Sequence, residues 1–436
     1  MDSKKRQKLL KQRRERDRKR QAFVQAPAPP SSPGMPLSGF GLPDLNEEHG
    51  NSASSAPSVP RDVHELWWDQ YKDADGPGRL AMTREKLASL KPDDPDYETY
   101  FPQAIDDLEP LLGPKAFVAF LEDLERDYPE AFADNLDWHS FYIIGVYAND
   151  ARWDQLERVV ERLADRLTEL TPPLPAILSQ LRLCNCTAAA GRLLDAVKPF
   201  VADPDVMPHA SNQYIEWLLF GAYQRCLERG ASDDEIEAVY RFSLTLGATE
   251  SEDLLREHRD VIRRLAGQEP RWTREELKPG DEVGRRVYLL LVDFQKWLQQ
   301  ERGCAAMVAD ELRRVTVHAI DGTRDMLISF LDGLRRVPFE TFLVRDCLGF
   351  MSLTRFYAPA SVCAMYHFYE FLYASNLVKS RTRDVSQLVC CDLWADLRKA
   401  AKTEWEEYRF LENCFPGDQG SFFPVARGQT GQESPI

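Results

Sequence analysis

From residue 61 onward, apolar side chains recur every three or four residues, and this period constrains the fold more than any other feature of the chain. Such spacing places apolar side chains on one face of a helix, where they can be buried together. A clear example lies in the stretch that contains Tyr214, Leu218, Ala222 and Cys226. The period predicts a body built from amphipathic helices.

Capping residues indicate where several of these helices begin and end. Ser232 and Glu235 have the spacing of a capping box, in which a hydroxyl and a carboxylate each bind a backbone amide of the first turn. Thr273 and Glu276 repeat this spacing. Gly230 stands where the helix before Ser232 should end, because glycine readily adopts the left-handed conformation that closes many helices.

One segment, RVTVHAIDG from Arg314, alternates partly like a strand. A single short strand has no partner for its backbone hydrogen bonds, so we expect a helix there as well. Without strands that alternate with helices, no parallel sheet supports a dinucleotide-binding loop, and neither GxxxxGKS/T nor GxGxxG occurs in the chain. The predicted fold class is all-α.

Short polar turns join successive apolar helices between residues 97 and 205, as in FYIIGVYA, NDAR and WDQLERVVERLADRL. This arrangement resembles the tetratricopeptide type of helix-pair stacking in the length of each pair, but it does not reproduce that repeat's residue pattern after Gly145. We expect helical-repeat-like pairs over 61–270 and a second helical domain over 271–415. A disordered arm and linker (1–60) should precede them, and a flexible tail (416–436) should follow.

Within the second region, TRDMLISFLDGLRR from Thr323 and PASVCAMYHFYEFLYASNLV from Pro359 are similar to the helical core-binding domain of tyrosine recombinases. The catalytic groups of that family, an Arg, a Lys, a His-x-x-Arg and a Tyr nucleophile, lie downstream of this domain. The residues after Lys379 contain no His. The resemblance therefore implies a small helical module without recombinase activity.

Charge is distributed unevenly along the chain. The formal net charge is −15, yet residues 1–20 carry 11 Lys or Arg and three acidic residues. Residues 21–60 contain 8 Pro, 7 Ser and 4 Gly and no Lys or Arg, which is typical of a flexible linker. Any contact with a polyanion should therefore involve the arm, through Lys4, Lys5, Arg6, Lys8, Lys11, Arg13, Arg14, Arg16, Arg18, Lys19 and Arg20.

Catalytic and zinc-binding patterns fail on spacing. The seven histidines include no His-x-x-x-His pair, and no GxSxG nucleophile elbow occurs. Cys184 and Cys186, and likewise Cys390 and Cys391, are too close together for the usual zinc knuckles. We predict no catalytic residue, no metal and no cofactor.

A calcium loop is suggested by DQYKDADG, where Asp73 and Asp75 suit two of the ligand positions. Tyr71 would then occupy the first ligand position and Met82 the last. Losing the carboxylates at both positions removes most of the charge that binds the ion. We expect a polar turn.

Aromatic residues are dense between Phe356 and Tyr373, where a strip of rings could stack on nucleic-acid bases. Val362, Met365, Tyr369 and Leu372 nevertheless follow the helical period. That period favours burial in the core.

The chain shows no sign of export. Its first twenty residues lack the apolar stretch of a secretory signal, its nine cysteines lack a disulfide-framework spacing, and no apolar run approaches the roughly 18 residues of a membrane span. We expect a soluble cytoplasmic protein, or a nuclear one in a eukaryotic cell.

Three functions follow as expectations. The first is a non-enzymatic helical scaffold that binds a protein partner. The second is a nucleic-acid-associated protein that contacts RNA or DNA phosphates through residues 4–20. The third is an enzyme whose site is assembled from distant residues, such as His139, His258 or His367 with nearby acids.

Overall fold

The computed structural model describes residues 63–89, 108, 111–167, 173–200, 210–230, 232–245, 252–278, 282–322, 330–347 and 356–400. Their helices are α1 (Val63–Asp73), α2 (Gly76–Ser89), α3 (Pro114–Asp127), α4 (Pro129–Asp134), α5 (Leu136–Asn149), α6 (Trp153–Asp165), α7 (Leu174–Leu183), α8 (Thr187–Val197), α9 (Ala210–Arg229), α10 (Asp233–Thr245), α11 (Glu252–Leu265), α12 (Val283–Arg302), α13 (Ala306–Gly322), α14 (Arg336–Phe342), α15 (Tyr357–Ala374) and α16 (Ser380–Ala400).

These ranges contain no strand, and the prediction of an all-α fold is confirmed. The partly alternating segment from Arg314 lies within α13, as expected. A π-helical turn, Leu343–Cys347, continues α14. The arm and linker (1–60) and the tail (416–436) lie outside the described residues.

Helices α5 to α8 form two stacked pairs. Helix α5 packs against α6 and α7, while α8 packs against both α6 and α7. The two pairs turn in the same way: Ala151 and Asn185 both have a positive φ, and the following residues, Arg152 and Cys186, donate backbone hydrogen bonds to Tyr147 and Leu181. Positions 151 and 185 are 34 residues apart, which is the length of a tetratricopeptide-type pair. The helical-repeat-like arrangement is therefore visible in the backbone.

The remaining helices extend this stack. Helix α7 contacts α13, α13 contacts α12 and α15, and α15 contacts α16. Buried apolar side chains form one continuous cluster from Leu87 to Leu397, while α9, α10 and α11 enclose a smaller cluster beside it. Apolar contacts thus continue across residue 270, and the domain boundary there stays a prediction.

Most of the predicted helix ends are found. The Ser232 amide donates to the Glu235 carboxylate at 2.9 Å, the Glu235 amide donates to the Ser232 hydroxyl at 3.2 Å, and α10 follows. Gly230 has φ 84° just after α9. At Thr273 the corresponding hydrogen bonds form, but only turns follow and α12 begins ten residues later, at Val283. The sequence Pro-Gly at positions 279 and 280 explains the difference, because proline disfavours the helical conformation in the residue before it.

Candidate functional site

The calcium-like segment forms a polar turn between α1 and α2, as expected. The Asp75 carboxylate accepts a hydrogen bond from the Gly78 amide at 2.8 Å. Asp75 therefore caps the first turn of α2, where a negative charge is favoured. The eleven arm residues, Lys4 to Arg20, lie outside the described residues, so their role in binding polyanions stays a prediction.

Most rings of the aromatic strip of α15 lie in the core, while Tyr373 at its end is 40% exposed. Phe368 and Tyr369 are fully buried, and Phe368 packs against Phe294 of α12 with ring centroids 5.4 Å apart. The Tyr369 hydroxyl donates to the Phe330 carbonyl at 3.0 Å. Rings held in this way cannot stack on bases, and the expectation of core packing is confirmed.

The described cysteines are unsuited to nucleophilic chemistry. All are free thiols, and all except Cys391 are buried. Burial raises the pKa of Cys186 and of Cys304 to about 12. A thiolate is the reactive form of cysteine. These side chains therefore act as small apolar groups in the core.

Two of the three histidines considered for an assembled enzyme site, His139 and His258, contact different residues. His139 of α5 is buried against the Phe132 ring at 4.7 Å, and burial lowers its pKa to about 3. His258 of α11 shares a hydrogen bond with the Tyr223 hydroxyl, with 2.6 Å between Nδ1 and Oη. Burial lowers the pKa of His258.

The third histidine, His367 of α15, is buried beside Glu370, with 3.6 Å between Nδ1 and Oε2. Arg302 of α12 reaches the other oxygen of Glu370 at 3.4 Å. His367 and Arg302 together hold the pKa of Glu370 below its usual range. Each of the three histidines thus has different neighbours, and they do not form one site.

A group of charged side chains, which we call the ionic seam, joins α7 to α13. Ser179 donates to one carboxylate oxygen of Glu311 at 2.5 Å, and Arg182 lies 3.6 Å from the other. Both Arg182 and Glu311 are almost completely buried. The contact crosses from the stacked pairs to the second helical region. Sequence reasoning missed it because both helices otherwise follow an apolar period.

The seam continues along α13. Asp310 binds Arg313 at 2.9 Å and Arg314 at 3.0 Å, and Arg314 also binds Glu216 of α9. Burial would raise the pKa of Asp310, but Arg314 and Arg313, with Arg182 behind them, outweigh burial and hold that pKa well below its usual range.

The chemistry of the ionic seam favours a structural role. Its three arginines balance its three acids, so it offers no net charge to a ligand. A general acid or base works best when its pKa lies near the working pH, whereas the pKa of Asp310 moves away from neutrality. The ionic seam therefore holds helices together.

The outward side of α6 carries an exposed aromatic side chain among charged residues. Its inward side is apolar and packs on α5 and α8. Outward lie Trp153, which is 45% exposed, and at four-residue steps Glu157 and Glu161. Trp153 lies three residues before Leu156, which is the spacing of one helix face, so the apolar period did not indicate that this tryptophan is exposed.

No three His, Cys, Asp or Glu side chains of the described ranges are arranged to hold a metal ion. None of the helices described here combines the length and hydropathy that crossing a bilayer requires. No protein-family model matches the chain, and comparisons with curated proteins and with solved structures yield no match.

Proposed function

We propose that this protein is a non-enzymatic helical scaffold that binds a protein partner through the outward side of α6. The observation that carries the proposal is a large aromatic side chain, Trp153, exposed at the start of a helix that otherwise presents charge to solvent. Tryptophan is among the residues most enriched at the energetic centres of protein interfaces. Stacked helix pairs also provide the rigid, extended surface that repeat proteins use for binding.

The charges around Trp153 suggest the chemistry of the partner. Asp154, Glu157 and Glu161 follow Trp153 on the exposed side of α6, and Arg158 is the cation among them. Arg192 of α8 approaches Glu161 only to 3.8 Å. A partner segment with an apolar anchor and several basic side chains would complement this surface, since opposite charges steer and orient association.

The test is affinity capture, after cross-linking in cells of the source organism, with the intact chain and two variants as baits. Trp153→Ala should lose the partner that the unaltered chain captures. Leu66→Ala is the matched control because Leu66 is a comparably exposed apolar residue on α1. Equal capture by all three baits would reject the α6 surface, and no specific capture by any bait would reject the scaffold function.

A second function is supported by the sequence of the arm. Its 11 Lys or Arg in twenty residues would give salt-dependent binding to nucleic-acid phosphates through residues 4–20. The test is fluorescence anisotropy of labelled RNA and duplex DNA, with the full chain and with a full chain in which these 11 residues are replaced by Gln. Binding that weakens with salt and needs the cations is expected, whereas equal binding by both chains would contradict it.

A further inference from the structure

Within the described residues, helix α16 has one buried side and one exposed side. The buried side packs on α15 and contains Cys390, Leu393 and Leu397. The other side presents Val385 and Leu388 to solvent, 53% and 59% exposed. Two large apolar side chains one turn apart, both more than half exposed, form a local apolar surface on the outside of the molecule.

Charged residues flank this apolar pair in a regular order. Arg381, Val385, Leu388 and Asp392 are separated by four, three and four residues, and all four are exposed. Spacing of this kind is the seam spacing of two helices that pack side by side. These four residues, which we call the α16 row, begin with a cation, end with an anion and have the two apolar residues in the middle.

The order of these residues is symmetric about the point midway between residues 386 and 387. Arg381 and Asp392 are equally far from that point, and so are Val385 and Leu388. Two copies of α16 placed antiparallel about a two-fold axis there would bring Arg381 of each copy to Asp392 of the other. The same placement would bring Val385 of each copy against Leu388 of the other. One alignment satisfies the apolar and the charged residues together.

We propose that the outward side of α16 is a self-association surface that pairs antiparallel with the same surface of a second copy of this chain. A two-fold interface requires a surface complementary to itself, and the α16 row meets that condition because its two ends carry opposite charges. The two ion pairs would lie about 16 Å apart along the helix, from eleven residues at about 1.5 Å each. This proposal concerns a surface different from that of the proposed function and does not depend on it.

The neighbourhood of Asp392 is compatible with this pairing. Arg336 of α14 lies 3.7 Å from Asp392 through Nη1 but binds Asp396 more closely, at 2.6 Å through Nη2. Asp392 thus keeps capacity for the guanidinium of Arg381 from a second copy.

The area of the α16 surface indicates how strong the pairing should be. Stable interfaces bury about 800 Å² on each partner, and one helix face offers less than that. We therefore expect a concentration-dependent equilibrium between monomer and dimer, with a dissociation constant on the order of 10 μM, the weak end of specific association.

Charge reversal tests the alignment directly, with sedimentation velocity of the full chain over a concentration series. In the dimer, Arg381→Asp places two acids opposite each other at both ends of the α16 row, and Asp392→Arg places two arginines there. Each variant alone should dimerise at least tenfold more weakly, because two ion pairs become two repulsions. An equimolar mixture of the two variants should regain dimers, and the double variant Arg381→Asp/Asp392→Arg should regain them alone.

An apolar variant provides the second arm of the test. Leu388→Glu should abolish dimers, whereas Leu66→Glu, at a comparably exposed position on α1, should not. Circular dichroism checks that each variant keeps its helix content. A monomer at every concentration up to about ten times that dissociation constant overturns the proposal, whatever else covers α16. Dimers that persist in both single charge variants, or no recovery in the mixture, overturn it as well.

Discussion

At the scale of single residues, burial determines the ionisation of several side chains more than their neighbours do. His139 is the clearest case, since burial outweighs its backbone hydrogen bond with Phe132 and lowers its pKa to about 3. In an unfolded chain the pKa of histidine is about 6.5. The folded protein therefore keeps this imidazole neutral where the unfolded chain protonates it.

This difference predicts acid sensitivity. Between about pH 6.5 and pH 3 the unfolded chain binds a proton at His139 that the folded chain does not, so the free energy of unfolding falls as the pH falls through this range. From pH 7 to pH 5 the contribution of His139 should be about 2 kcal/mol. Replacing His139 by Phe should remove it, as measured by urea unfolding at both pH values. An equal loss in the variant and the unaltered chain would contradict the assignment.

Residue types in the sequence could predict some of these environments and not others. The lack of a carboxylate at Tyr71 and Met82, the first and last positions of the candidate calcium loop, predicted a turn, and Asp75 indeed caps α2. In contrast, nothing local to Arg182 or Glu311 indicates burial. Their partners lie more than a hundred residues away, and only the packing of α7 on α13 brings them together.

At the scale of helices, local sequence predicts the elements well because periodicity and capping act within a few residues. Gly230 and the capping box at Ser232 mark their helix boundaries correctly. The box at Thr273 forms without a helix, since a capping box cannot extend a helix into a following Pro-Gly. The exposed surfaces of α6 and α16 are harder to predict, because the side of a helix that faces solvent depends on its neighbours.

Glycines in two different backbone conformations provide a prediction at this scale. Gly303 ends α12 with φ 65°, so Gly303→Ala should lower the free energy of unfolding by about 1 kcal/mol. Gly221 lies inside α9, and a Cβ there would meet only Arg225, at 3.6 Å. Gly221→Ala should therefore raise stability by about 0.5 to 1 kcal/mol. Chemical denaturation measures both, and equal signs for the two variants would contradict the argument.

At the scale of the whole molecule, sequence reasoning identified the all-α class and the stacked pairs but not the way in which the two helical regions meet. The apolar period indicates that a helix has a buried side, but it does not indicate which other helix packs against that side. The structure brings α7 and α13 together across the predicted boundary and places the ionic seam between them. A buried ion pair contributes little net stability but requires one alignment of the two helices, because any shift leaves a charge buried without its partner.

The ionic seam therefore predicts strong and coupled effects of substitution. Arg182→Met should lower the free energy of unfolding by about 3 to 5 kcal/mol, because Glu311 would stay buried without its cation. Arg182→Met/Glu311→Gln should cost less than the sum of the two single changes, since neither charge remains. The control is Arg241→Met, which breaks a mostly exposed pair with Glu237 and should cost less than about 0.5 kcal/mol.

Hydrogen exchange shows whether the ionic seam couples the two regions. If the continuous core and the ionic seam make the two helical regions one cooperative unit, Arg182→Met should speed the slowest exchange by the same factor in both regions. The helices to compare are α5 and α7 in the first region and α13 and α15 in the second. Faster exchange in only one of these groups would mean that the regions unfold separately. In that event the boundary near residue 270 would separate two units of independent stability, and the ionic seam would align them without joining their unfolding.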